Sequence, residues 1–213
     1  MNRAELKAKA RLQIKGKIGI LFVITLIISA ISGGAAFVLS FIPGGSVIAS
    51  IIITPAFALS IARVYLSVTR YKTPEVMDSF SGFDDFWSAF KVTFLVGLYT
   101  FLWSLLFIIP GIVKSFSYSM AMYILAENKG KSATECINES KAMTDGHKMD
   151  LFVLGLSFIG WAILAMFTFG ILYIWLAPYM YTTYANAYQS LKPVVTPPIV
   201  EETQNDFTLE SES

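Results

Sequence analysis

Three long stretches of the chain contain no Asp, Glu, Lys or Arg: residues 18–62, 92–113 and 151–191. One crossing of a lipid bilayer needs only about 20 mostly apolar residues. The first and third stretches are therefore long enough to contain two membrane helices each. If charged residues, proline and glycine mark the helix ends, the sequence predicts six membrane spans in all. The spans are expected at about 18–40, 46–67, 92–109, 112–127, 150–168 and 171–190.

The six predicted spans form three hairpins, because a short turn that contains glycine joins the two members of each pair. The turns are expected at residues 41–46, 109–112 and 167–171. Glycine reverses the chain easily, since it has no Cβ. Lys114 is the one charged residue that this arrangement places at the outer interface. We expect its long side chain to extend to water there.

Two polar connectors, residues 70–91 and 128–149, separate the hairpins. Together with the two ends of the chain, they contain nearly all the other charged residues, and the rest lie near the span ends on the same side. Lys and Arg near the ends of spans mark the cytoplasmic side of a membrane protein. The pattern therefore predicts an all-α membrane protein with both termini in the cytoplasm.

Each connector also contains residues typical of a helix start. Ser132 and Glu135 fit a capping box, in which each side chain bonds the other residue's backbone amide. A short helix over about 133–145 is expected after it. Thr73 precedes Pro74, and proline is favoured at the first position of a helix. Both connectors are therefore predicted to form short amphipathic helices at the cytoplasmic surface.

The first seventeen residues are basic and are also predicted to be helical. Their cations recur at steps of four residues, so they form one stripe along the helix. Each such charge contributes about 1 kcal/mol to binding near an anionic leaflet. We therefore expect segment 1–17 to bind anionic lipids of the inner leaflet. The stripe consists of Arg3, Lys7, Arg11 and Lys15.

Comparison of the chain with itself suggests three copies of one unit, a short helix followed by a hairpin. Pro55 and Pro178 each lie eight residues before a polar residue, Arg63 and Asn186. An alanine precedes that polar residue in both cases, and the middle hairpin ends with alanine and Glu127. This predicts one membrane domain, 1–191, with possible repeats at 1–69, 74–128 and 132–191.

The repeat, if correct, brings Arg63, Glu127 and Asn186 together at the cytoplasmic mouth of the bundle. An Arg–Glu pair there would be partly shielded from water, and an amide could bond the remaining donors. Alternatively, these are three unrelated residues at span ends, where charges are tolerated. The sequence leaves both interpretations open.

The composition agrees with a membrane protein and narrows its chemistry. Hydrophobic residues make up 55% of the chain and charged residues 15%, against about a quarter charged in soluble domains. Cys136 and His147 are the only residues of their types, so no metal site, cofactor site or nucleophile–base set is predicted. We expect no enzymatic activity. Nucleic acid is not expected as a partner, because the basic segment adjoins a membrane helix.

Three stretches of the chain resemble the DUF975 family of bacterial integral membrane proteins. They are NRAELKAKA at 2–10, PGIVKSFSYSMAMYILAEN at 110–128 and GHKMDLFVLGLSFIGW at 146–161. The resemblance covers about residues 2–191. It implies a six-helix protein of the cytoplasmic membrane, mainly in Gram-positive bacteria, and it transfers no activity or site residue. Residues 192–213 lie outside it, and their prolines and acids predict a disordered cytoplasmic tail.

Two functions are compatible with this sequence. We favour a non-enzymatic accessory that acts through an unknown protein partner or through lipids, in export, immunity or envelope stress. The alternative is a small-solute transporter or channel, which needs a polar path through the bundle. The hydroxyl groups available for such a path can equally bond between helices. They belong to Ser117, Ser119, Tyr181, Thr182 and Thr183.

Overall fold

The computed structural model describes residues 2–42, 44–106, 108–168 and 170–192. All regular structure in these residues is helical, which confirms the predicted all-α class. The predicted tail lies outside the described residues except for Lys192. The helices are α1 (Arg3–Ile14), α2 (Ile18–Leu39), α3 (Gly45–Thr69), a 3₁₀ helix (Val76–Phe83), α4 (Phe86–Leu106), α5 (Ile108–Tyr118), α6 (Ala121–Glu127), α7 (Ala133–Thr144), α8 (Lys148–Phe167) and α9 (Tyr173–Leu191).

Four helical segments are long and apolar enough to cross a membrane. They are Ile18–Leu39, Ser50–Thr69, Phe86–Leu105 and Lys148–Phe167. Most side chains of α2, α4 and α8 in these segments are not buried by the rest of the chain. Such exposed apolar surfaces are suited to contact with lipid. The arrangement of six spans as three hairpins goes beyond these four segments and stays a proposal.

The span predicted at 112–127 is divided into α5 and α6 by a break at Ser119 and Met120. The hydroxyl of Ser140 on α7 reaches this break. It donates a hydrogen bond to the Ser117 carbonyl (2.7 Å) and accepts one from the Met120 backbone N–H (3.2 Å). These two hydrogen bonds take the place of backbone hydrogen bonds that a continuous helix would form at the break. The break therefore depends on α7, a segment distant in sequence.

Pro110 and Gly111 do not form the turn that was predicted at 109–112. Both lie in the first turn of α5, and the joining residue 107 is outside the described residues. Proline is tolerated there, because the N–H that it lacks would have no partner within the helix. A Cβ on Gly111 would meet the backbone of Ser104 on α4. Gly111 therefore allows α4 and α5 to pack closely.

The other two predicted turns agree with the structure in their described residues. Gly44, between α2 and α3, has a φ of 76°, and Gly170, between α8 and α9, has a φ of 82°. Residues with a side chain rarely adopt these values. Pro43 and Phe169, which belong to the same predicted turns, lie outside the described residues.

The capping box predicted before α7 is present. The Ser132 hydroxyl accepts a hydrogen bond from the Glu135 N–H (3.3 Å), and the Glu135 carboxylate accepts one from the Ser132 N–H (2.9 Å). These hydrogen bonds lower the pKa of Glu135 below its usual value. The helix start predicted at 73–74 is displaced by two residues. Glu75 caps the 3₁₀ helix there, and its N–H bonds the Asp78 carboxylate (2.8 Å).

The short helices pack against long helices in a regular order. The 3₁₀ helix packs against α3, α7 packs against α5 and α6, and α1 packs against α9. The last contact joins the two ends of the described chain and closes a ring. Helix α3 contacts both α6 and α9, and apolar residues and tyrosines form the core around them. The repeats at 1–69, 74–128 and 132–191 stay a prediction, for which this order of contacts is a structural argument.

The turns that follow α1 and α7 have the same backbone shape. Lys15 has φ and ψ of −60° and 126°, and Asp145 has −65° and 135°. The next residues, Gly16 and Gly146, have φ values of 79° and 75°. The two helices have the same length, and their ends are separated in sequence by the same number of residues as Gly16 and Gly146. The comparison of the chain with itself did not find this correspondence, because it lies in the backbone angles and not in the residue types.

We expect Gly82→Ala to destabilise the protein. Gly82 in the 3₁₀ helix lies so close to α3 that an added Cβ would overlap the Ala56 carbonyl and the Ser60 hydroxyl. Overpacking of this kind costs about 1–3 kcal/mol. Thermal unfolding of the detergent-solubilised protein would measure the loss. The control is Gly97→Ala in α4, where nothing lies within 4 Å of the added Cβ; equal losses in both variants would contradict the packing.

Candidate functional site

Glu127, the last residue of α6, connects the adjacent ends of α3 and α9. Its carboxylate forms ion pairs with Arg70 and Lys192. It also accepts a hydrogen bond from the Tyr188 hydroxyl (2.8 Å). The Glu127 side chain is only 7% exposed. A carboxylate with two cations and a hydroxyl around it is stabilised in its charged form, so it joins three helices electrostatically.

Arg63 on α3 does not pair with Glu127. Its guanidinium instead donates to the Asp85 carboxylate and to the Ser81 carbonyl. Both acceptors lie in or just after the 3₁₀ helix, so Arg63 fastens that helix to α3. The Arg63 Nε is buried and has no hydrogen-bond partner among the described residues. Asp85 was missed from the sequence, because a search for equivalent span ends does not examine the connectors.

Asn186 on α9 contacts α1 rather than the other two predicted residues. Its amide nitrogen donates to the Gln13 Oε1 (2.6 Å), and the Gln13 amide nitrogen donates to the Thr69 carbonyl of α3 (2.9 Å). Both amides are buried. Gln13 was not predicted, although its spacing from Leu6 and Ala10 places it on the buried face of α1. The three predicted residues therefore do not form one hydrogen-bonded cluster in the described structure.

Lys114 lies in α5 and contacts α4. Its Nζ is 4.7 Å from the centre of the Trp103 ring. A cation over tryptophan is attracted to the electron-rich face of the ring. Lys114 forms no ion pair with any residue that the structure describes. This residue therefore stabilises the contact between α4 and α5.

The cationic stripe of α1 faces α8 and α9. The Lys7 Nζ donates to the Ser157 hydroxyl (2.6 Å) and lies 4.5 Å from the centre of the Phe158 ring. The Arg11 guanidinium lies 5.4 Å from the centre of the Tyr179 ring. Neither cation has an ion-pair partner in the described part of the chain. Burial lowers the pKa of Lys7, and the positive charge of Arg11 lowers it further.

A recess of about 650 Å³ opens beside Lys7, between α1 and α8. Among the described residues its lining includes two cations, an amide and a hydroxyl but no acid. The Asp150 carboxylate, nearby on α8, interacts electrostatically with Arg3. Charged donors of this kind suit a phosphate or similar anion. Ser157 lies roughly 14 Å along α8 from Lys148, at 1.5 Å per residue, within a segment able to span a membrane. The lining residues are Asn2, Arg3, Ala4, Lys7, Val153 and Ser157.

A second cavity, here called the hydroxyl cavity, lies between α2, α3, α6 and α9. It has two adjoining lobes of about 370 and 290 Å³, which share Ser32, Ile61 and Tyr181. No charged side chain lines either lobe among the described residues. Eight lining residues bear a hydroxyl group: Thr25, Ser29, Ser32, Thr54, Tyr65, Tyr123, Tyr173 and Tyr181.

Most hydroxyls that were considered for a polar path are used within the protein. Ser117, Ser119 and Thr183 donate to carbonyls of their own helices. Thr182 is buried and has no hydrogen-bond partner among the described residues. Tyr181 is the one member of this group that lines the hydroxyl cavity. The five residues therefore do not line one common cavity in the described structure.

The described residues contain few reactive side chains that lie close together. No group of three or more His, Cys, Asp or Glu residues there could hold a metal ion. Cys136 is buried in α7. This burial raises the pKa of its thiol to about 11, which suppresses thiolate formation at neutral pH. The Nδ1 of His147 lies 3.3 Å from the Asp150 carboxylate at the start of α8.

The apolar helices and their largely unburied surfaces indicate a helical membrane protein. Comparison with known proteins gives its family. The DUF975 family, described as a protein of unknown function, matches residues 1–116 and 107–194. The chain belongs to this family. No curated protein and no solved structure matches it.

We expect Glu127→Gln to reduce the free energy of unfolding by about 1–3 kcal/mol, because Arg70 and Lys192 lose their shared counter-charge. Denaturant unfolding in detergent micelles would measure this loss. Glu139→Gln is the control, since Glu139 pairs with Lys131 at the surface and such pairs contribute less than about 1 kcal/mol. A Glu127 variant as stable as this control would contradict a structural role for the cluster.

Proposed function

We propose that this protein is a non-enzymatic accessory of a bacterial cytoplasmic membrane that acts through lipids and a protein partner. The observation that carries the proposal is the recess beside Lys7, where this cation lies against a helix able to span a membrane and has no ion-pair partner among the described residues. Export, immunity and envelope stress are the processes in which we expect such an accessory to act.

The position of Lys7 favours an anionic phospholipid as the lipid partner. Placing a lysine near the middle of an apolar span costs about 2.5–3.5 kcal/mol of free energy, and less toward the ends of the span. Lys7 belongs to α1, but its ammonium lies beside Ser157, inside the apolar segment of α8. The neighbours of the Lys7 ammonium are the neutral Ser157 and Phe158. A lipid phosphate would supply the missing negative charge, and Arg3 in the same recess would provide a second donor. These contacts support the predicted binding of anionic lipid by segment 1–17.

We expect an anionic phospholipid to stabilise the protein through Lys7. Phosphatidylglycerol added to protein in a neutral detergent should raise its unfolding temperature more than phosphatidylcholine does. Lys7→Gln should remove at least half of this difference. Lys9→Gln is the matched control, because Lys9 lies on the exposed face of α1 and pairs with Glu5 (2.7 Å). Equal effects of the two substitutions would show that binding depends on net charge alone, and the site would be rejected.

We further propose six spans with both termini in the cytoplasm. The basic α1 and the four spanning segments support this topology through the positive-inside rule. The test uses Lys114→Cys in a Cys136→Ser background and a thiol reagent that does not cross membranes. The cysteine at 114 is expected to react in intact cells. Failure to react from outside, with reaction after permeabilisation, would overturn the six-span topology.

The alternative function, a small-solute transporter or channel, is favoured by one observation, the hydroxyl cavity. The residues next to the cavity argue for binding rather than passage. The Tyr123 ring in its lining stacks on Tyr188, with ring centres 5.6 Å apart. Tyr188 in turn bonds Glu127 (2.8 Å). A solute that moved from the cavity toward this end of the bundle would have to separate these contacts.

A further inference from the structure

We infer that the hydroxyl cavity binds a membrane lipid whose headgroup is uncharged and bears hydroxyl groups. The first argument is the state of the hydroxyls in its lining. Ser29, Ser32 and Thr54 form no hydrogen bond with other described residues. Thr25 in the same lining donates to the Leu21 carbonyl (2.8 Å), which is the usual arrangement for such residues in membrane helices.

Hydroxyl groups without partners are unfavourable in this position. Ser29 and Ser32 belong to the span Ile18–Leu39, and Thr54 belongs to the span Ser50–Thr69. The bilayer interior contains no water to bond them, so an unsatisfied polar group there is costly. A ligand hydroxyl both donates and accepts, and it therefore matches these three groups in either role.

Because no charged side chain of the described residues lines the cavity, a neutral ligand fits it better than an ion does. An ion moved into the cavity would lose its hydration without gaining a counter-charge. Arg63 belongs to the same helix as much of the lining, but its guanidinium is bonded to Asp85 and Ser81, outside the cavity. The ring of Tyr181 stacks on Tyr65, with centres 5.0 Å apart. This pair adds an apolar wall with hydroxyl groups, which suits the carbon–hydrogen faces of glycerol or a sugar.

The size and surroundings of the cavity favour a lipid over a soluble polyol. Its lobes, about 370 and 290 Å³, lie near the lower limit of roughly 300 Å³ for ligand sites. They therefore suit a headgroup rather than a whole lipid. Beside them, α2 has open space at Gly33 and Gly34, followed by the exposed Phe37 and Val38. This open apolar surface would let a lipid reach the cavity from the side, with its acyl chains directed toward the middle of the bilayer.

The test uses the full chain in phosphatidylcholine nanodiscs and a diacylglycerol with a photoactivatable group. Saturable labelling of peptides from α2, α3 or α9 is expected, with competition from unlabelled diacylglycerol. Phosphatidylglycerol and free glycerol should not compete. Competition by free glycerol would identify a soluble-polyol site, and equal competition by phosphatidylglycerol would identify a nonselective site. Either result, or the absence of saturable labelling, overturns the inference.

Substitutions then assign the binding to the cavity. Tyr181→Phe and Thr54→Val remove one hydroxyl each with little change of shape, and each should weaken competition by roughly 3- to 10-fold, the value of one hydrogen bond. Tyr184→Phe, one turn away on α9 and outside the lining, should leave it unchanged. Ala58→Leu should fill one lobe and abolish labelling at an unchanged unfolding temperature. Labelling and competition that are unaffected in the three lining variants would overturn the assignment.

The recess beside Lys7 and the hydroxyl cavity share no lining residue. The phosphatidylglycerol test of Lys7 and the diacylglycerol test of Tyr181 can therefore fail separately. A failure of the proposed anionic-lipid function would leave the neutral-lipid inference standing, and the reverse also holds.

Discussion

Gln13 of α1 bonds two partners at once, the side-chain amide of Asn186 on α9 and the backbone carbonyl of Thr69 on α3. Buried amides are stable only when they are hydrogen-bonded, so these contacts fix α1 in one register against both helices. The other polar features depend on that register. Lys7 reaches Ser157 of α8 because α1 is held against α9 in this register.

The ends of most long helices were predictable because a charged side chain is costly inside an apolar span. The span expected at 92–109 is an exception, because α4 begins at Phe86 and includes Lys91. The spans expected at 18–40, 150–168 and 171–190 correspond within about two residues to α2, α8 and α9. The division of the fourth span was not predictable in this way. It depends on the Ser140 hydroxyl, which reaches the break only after α7 has packed. Local hydrophobicity contains no information about such a long-range bond.

Contacts between distant segments also explain why Arg63, Glu127 and Asn186 do not form the predicted cluster. Comparison of repeats finds positions that are equivalent, but it does not identify which side chains meet. The partners of Arg63, Glu127 and Asn186 come from the connectors, from the end of α3 and from α1. The charge pattern alone correctly indicated that α1 has a cationic face. The neutrality of the hydroxyl cavity emerges only in three dimensions, since its lining combines residues from four helices.

The closure of the ring by α1 and α9 also has a consequence for biosynthesis. The ribosome makes α1 first, and α9 is the last of the described helices to follow, roughly 160 residues later. At about 5–20 residues per second, the buried face of α1 waits on the order of ten seconds or more for its partner. During that interval Gln13 lacks its hydrogen bond with Asn186 of α9. The buried face of α1 is therefore accessible to chaperones, insertion factors and proteases until α9 has been made and packs against it.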